Sequence, residues 1–201
     1  MLLHLLAPPD PVIGYGVHAL NLQRELSALA ARGCFLFQFT DLTQEVALQP
    51  LLDLIAAVPE GLPVVNLLLG DGRSSHQILD HLPGRRVINT VFESDTLPLG
   101  WSENLQRSDL VLTASRWGAD ILRLELPTTP VAVVPEGVDP QLHHQWNRPT
   151  DRHPWRRDAD LQSPLEDCFR VLCVGKYETR KSYAERLRLR RPSHPRGPRR
   201  S

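Results

Sequence analysis

LLHLLAPPDPVIGYGVHALNLQRELSALAARG, residues 2–33, decides the fold of this chain. It opens on Leu2–Ala7, an apolar run too short for a buried helix and apolar on consecutive positions, as in a strand covered on both faces. Pro8-Pro9-Asp10-Pro11 ends that run, and Gly14-Tyr15-Gly16 follows. Ala19, Leu22, Leu26, Leu29 and Ala30 then recur at helical spacing, which predicts a helix over Val17–Arg32 stopped by Gly33. Strand, turn and helix in this order make one βα unit.

The alternation continues down the chain. Cys34–Thr40, Pro63–Leu69, Arg86–Phe92, Leu110–Ala114 and Val131–Pro135 are further strand candidates, and Val46–Val58, Ser75–Leu82, Pro98–Arg107 and Arg116–Leu126 are helices, the last with Ser115 as N-cap. Short buried strands alternating with amphipathic helices imply an α/β fold with a doubly wound, mainly parallel sheet. At 41% hydrophobic and 23% charged, the composition is that of a soluble domain and excludes a fibrous or wholly disordered chain.

A first, Rossmann-like domain is therefore expected over residues 1–135. From 136 to 168 the periodicity fails amid Pro, His, Asp, Arg and Trp, which predicts a linker. Phe169–Val174 reads as another buried strand, so 169–185 looks like the first βα unit of a second domain, which then breaks off. Residues 186–201 hold seven arginines, three prolines and no acid, against 16 basic and 23 acidic groups before them, so the zero net charge hides two opposed segments. Such a tail cannot bury enough surface to offset its ordering entropy and is expected to be disordered. The change at Arg186 is also what an out-of-frame or prematurely ended reading of a gene would give.

No apolar run reaches the ~18 residues of a membrane span, and the start lacks a cleavable-signal pattern, so a cytoplasmic location is expected. Cys34, Cys168 and Cys173 are then small buried hydrophobes, with no disulfide. His143, His144 and His153 near those cysteines fit no zinc template, and neither a metal nor a cofactor is expected. Trp101, Trp117, Trp146 and Trp155 lack interleaved basic residues and make no platform for specific nucleic-acid binding. No G-x-S-x-G elbow supports a nucleophilic hydrolase.

Three constellations carry the chemistry. Gly14-Tyr15-Gly16, between the first strand and helix, offers backbone N–H groups and a helix dipole to an anion, or is simply a tight turn. Gly14, Gly16 and Ala19 also satisfy G-x-G-x-x-G/A with Asp41 as ribose ligand, but the six residues after the strand spoil the dinucleotide spacing. Glu93, at the carboxyl end of a central strand, stands where doubly wound sheets bind ligands, or merely hydrogen-bonds a neighbouring loop. Lys176, Arg180 and Lys181 bring three cations to one turn, suited to phosphate oxygens or to solvent alone.

Taken together, these stretches resemble the retaining GT-B glycosyltransferases of family 4. Gly14-Tyr15-Gly16-Val17-His18 is similar to that family's amino-terminal glycine loop. Phe92-Glu93-Ser94-Asp95-Thr96-Leu97-Pro98, Trp101, Asp109, Ser115-Arg116-Trp117-Gly118 and Val134-Pro135-Glu136-Gly137-Val138-Asp139 follow its progression. Val174-Gly175-Lys176-Tyr177-Glu178-Thr179-Arg180-Lys181 looks like the opening of its second domain, with Ser182 where glycine is usual. The resemblance implies a nucleotide-diphospho-sugar donor, its diphosphate on Lys176 and Lys181 assisted by Arg180. It implies Gly14 and Gly16 near the donor phosphates and Glu93 as the catalytic, acceptor-side carboxylate. The acceptor is undefined, and a truncated chain is expected to lack turnover. Two other readings stay open: an interaction module whose basic tail meets RNA or an anionic membrane surface, and an NAD-dependent oxidoreductase.

Overall fold

Leu5 and Leu6 are adjacent, point to opposite faces of one strand, and are both fully buried. Strand β1 (Leu2–Ala7) therefore lies inside a sheet covered on both sides. The computed structural model describes residues 1–43, 48–56, 58–73 and 75–138. The chain divides into two units, Met1–His144 and Gln145–Ser201, and everything described belongs to the first.

That unit runs β1, α1 (Gly14–Ala31), β2 (Leu36–Asp41), α2 (Leu48–Ala56), β3 (Val64–Leu69), α3 (His76–Leu79), β4 (Arg85–Asn89), α4 (Trp101–Leu105), β5 (Leu110–Thr113), α5 (Arg116–Glu125) and β6 (Val131–Val133). The six strands form one sheet, β2-β1-β3-β4-β5-β6, with every pairing parallel. The α/β, doubly wound expectation holds. From β1 the chain steps outward to β2, then returns past β1 to β3 and marches on to β6. The order thus reverses between β1 and β3, and the carboxyl ends of those strands flank the crevice where such sheets bind ligands.

The winding divides the core in two. Leu5, Ala7 and Leu69 pack with Ala19, Leu22 and Leu26 of α1 on one face. Leu6, Leu68, Ile88 and Val111 pack on the other with Leu51, Leu79, Trp101, Leu105 and Leu122 from α2 to α5. Helix α1 ends as its sequence predicts: Gly33 at φ +79° donates to the Ala30 carbonyl, and Cys34 donates to that of Leu29. This paired bond is the Schellman pattern, which a left-handed glycine closes without steric cost.

A buried polar network ties the three strands nearest the reversal. Asn66 on β3 donates its amide to the Pro83 carbonyl at 2.8 Å, leaving its side-chain oxygen to accept from His4 Nδ1 at 3.1 Å. Nε2 of His4 then accepts from the Thr40 hydroxyl on β2 at 2.8 Å. Burial pushes the His4 imidazole below its usual pKa, and the Asn66 bond opposes that shift.

Several boundaries differ from the sequence expectation. The helix expected over Val17–Arg32 starts at Gly14, so the glycines form its first turn rather than a loop before it. The strand expected over Arg86–Phe92 is Arg85–Asn89, which leaves Glu93 four residues beyond the strand end. Cys34 is exposed rather than buried, because it follows the helix stop at the surface. The linker over 136–168 falls almost wholly outside the described residues. The second-domain unit, the basic tail, Cys168 and Cys173 lie entirely outside them.

Candidate functional site at the carboxyl edge of the sheet

The segment leaving β1 is shaped by Asp10. Its carboxylate accepts from Val12 N at 2.9 Å and its carbonyl from Ile13 N at 3.2 Å, turning the chain into α1. Ile13 stands at the N-cap with no side-chain hydrogen bond to the helix, and the first turn contains no acid. The leading N–H groups of α1 are therefore uncapped by side chains, at the positive end of an 18-residue helix. Gly16 is buried against the Asp10 backbone, whose carbonyl oxygen would lie 1.7 Å from any Cβ placed there. Gly14 is exposed, with nothing within 4 Å of the same position. One glycine closes the turn and the other leaves its face open.

The residue between them reaches across the sheet. Strand β3 turns away after Leu69, and its last ladder bond runs from Gly70 N to the Asn89 carbonyl on β4. Thr90 N bonds the Leu112 carbonyl on the opposite side, so by alternation the polar groups of Val91 fall on the β3 side, past the end of that strand. The Tyr15 phenol takes the vacated place. It donates to the Val91 carbonyl at 3.0 Å and accepts from Val91 N at 3.1 Å. Burial pushes its pKa up against the lowering effect of the Val91 bond, and the carboxylates of Asp71 and Glu136 add to the rise. The phenol stays neutral and so keeps both its donor and its acceptor roles.

One helical turn on, His18 meets Glu136, Nδ1 to Oε1 at 3.1 Å across 118 residues of sequence. Helix α1 is thus joined to the segments after both β4 and β6. Beyond Val91, Phe92 packs edge-on against buried Trp101, with ring centroids 6.5 Å apart, and tilted against Trp117 at 5.8 Å. Trp117 remains half exposed at the start of α5, whose N-cap Ser115 accepts from Gly118 N as the sequence predicts. Glu93 is exposed beside Phe92.

Three stretches far apart in sequence, 14–18, 91–93 and 134–136, meet at this edge. Asp109 does not. It stands just before β5 at the amino edge, where it accepts from Arg86 N at 2.8 Å and Arg85 Nη1 at 3.0 Å. The Arg86 backbone bond holds its carboxyl below its usual pKa against the opposing effect of burial, with the Arg85 and Arg86 side chains assisting. A cavity of about 480 Å³ lined by Pro63, Leu82, Arg85, Arg86 and Asp109 also lies at that amino edge, away from the glycines. Asp41 spends one carboxylate oxygen on Thr43 N and Oγ1, both at 2.7 Å. Lys176, Arg180 and Lys181 lie outside the described residues.

Sequence reading missed the roles of Tyr15 and His18, since neither partner is near in sequence. The only signal was an aromatic residue between two glycines in a helical first turn. Among the described residues no group of three His, Cys, Asp or Glu could hold a metal ion, and no helix is long and apolar enough to cross a membrane. Comparison of the chain with family models, with curated proteins and with solved structures finds no match in any of the three.

Proposed function

We propose that the chain carries the amino-terminal part of a nucleotide-sugar-dependent glycosyl-transfer site of the retaining GT-B, family 4 kind. The observation that carries this reading is the convergence at one sheet edge of Gly14–His18, Val91–Glu93 and Glu136, three stretches on which the resemblance rests. The uncapped first turn of α1, with Gly14 open, suits a diphosphate: N–H groups and the helix dipole favour negative charge, and the missing Cβ allows close approach. Lys176 and Lys181, with Arg180, supply the positive charge that stabilises the leaving nucleotide as the glycosidic bond to it breaks. Glu93 stands on the acceptor side, within reach of a hydroxyl entering over the end of β4.

Calorimetric titration of the full chain with UDP and GDP tests the reading. Binding of one of them is expected, weakened about tenfold or more by Lys181→Ala, as for loss of a charged hydrogen-bond partner. Equal binding by that variant removes the turn from the site. Binding of NAD that Asp41→Ala weakens would replace the reading with the oxidoreductase one.

A further inference from the structure

Nothing in the glycine-loop resemblance assigns a role to the side chain between the glycines, yet it makes a long-range polar contact of unusual form in this edge. Tyr15 spans 76 residues of sequence to bond both polar groups of one peptide residue, Val91. A phenol is one donor and one acceptor, and Val91 presents one of each where β3 has left the ladder, so the match is complete. Val91 is itself 38% exposed, so water can serve the same groups if the phenol is absent. The contact is therefore dispensable for satisfying the backbone. What water cannot supply is the rigid link from these groups, through a half-buried ring packed in the α1 core, to the helix turn that carries Gly14 and Gly16.

Two residues beyond Val91 stands Glu93. Gly16 lies against the Asp10 backbone with no room for a Cβ, which seats the α1 turn on the loop after β1, and His18–Glu136 joins the next turn to the segment after β6. With the helix start fixed on those two sides, the phenol sets how far the Val91–Glu93 segment stands from the open face of Gly14. We infer that Tyr15 is a positioning residue, whose phenol clamps the Glu93-bearing segment at a fixed separation from the uncapped amino terminus of α1. The phenol touches no reacting atom. It acts through the two groups it spaces, one on the side of an anion and the other on the side of an acceptor.

The test uses the full chain with Tyr15→Phe, which keeps the ring and removes only the hydroxyl, and with Val91→Pro, which removes the donor from the other partner. Hydrogen exchange followed by mass spectrometry is the first readout. The Val91 amide should exchange about tenfold faster or more in Tyr15→Phe, and the Thr90 amide faster in both variants, while those of Leu2–Ala7 and Val64–Leu69 keep the parent rate. Unchanged exchange at Thr90 and Val91, or an equal rise throughout the sheet, overturns the clamp. The second readout, which rests on the nucleotide-sugar reading, is UDP and GDP affinity. If the parent binds, Tyr15→Phe should weaken binding about fivefold or more, the usual range of coupling between linked sites. Equal affinity overturns the positioning role. If the parent binds neither nucleotide, the glycosyltransferase reading fails and the exchange result alone decides the clamp.

Discussion

Gly14 and Gly16 look alike in sequence and stand in opposite situations. A methyl group at 16 collides with the Asp10 backbone, whereas one at 14 meets open space. Gly16→Ala should therefore destabilise the fold by about 1–3 kcal/mol, since backbone rather than a flexible side chain must move. Gly14→Ala, in the first turn of a helix, should leave stability unchanged or raise it by up to about 1 kcal/mol. Urea unfolding of the two variants separates them. The same Gly14→Ala chain should lose UDP or GDP affinity if that open face receives the phosphates, and full affinity in a chain of parental stability would remove Gly14 from the site. Asp109 makes a related point. It matches the family-like progression with no role assigned to it, and its oxygens are spent on Arg85 and Arg86 at the opposite edge.

Helix ends show most clearly what local sequence controls. Ser115 caps α5 through Gly118 N at 3.0 Å, and Ser115→Ala should cost about 1 kcal/mol in denaturant unfolding. Helix α1 has the reverse arrangement, with Ile13 where a capping side chain would stand. Ile13→Asp should raise the melting temperature, because its carboxylate can accept from the leading N–H groups of the first turn and complements the dipole, for about 0.5–2 kcal/mol. The same carboxylate should abolish nucleotide binding by occupying the donors an anion needs. A variant more stable and equally competent to bind would show that those donors are not used. The helix starts three residues before its expected position because helical spacing of apolar residues begins only at Ala19, while the first turn is held by Asp10 and by tertiary contacts of Tyr15 and Gly16.

Across the whole described unit, acid should act in two stages. The His4 pKa is lowered in the folded state, so the unfolded chain binds the proton more readily and stability falls as pH drops below about 6.5. The Asp109 pKa is lowered as well, so its contribution is present above about pH 4 and is lost as pH falls through the folded value. Unfolding free energies measured across this range should show both losses. His4→Gln should flatten the upper one and leave the lower, and a pH profile identical to the parent's would exclude His4 as its source. The α/β class, the number and parallel character of the strands, the α5 cap and the α1 stop were all legible in the sequence, because burial on both faces and helix termini impose local patterns on consecutive residues. Strand order, the pairing of His4 with Asn66 and Thr40, the reach of Tyr15 to Val91 and the meeting of His18 with Glu136 were decided only by the tertiary structure. Their physical reason is shared: these contacts join residues 36 to 118 positions apart, and only the parallel pairing of β1 with β2 and the return of the chain past β1 to β3 and on to β6 bring their polar groups within bonding distance.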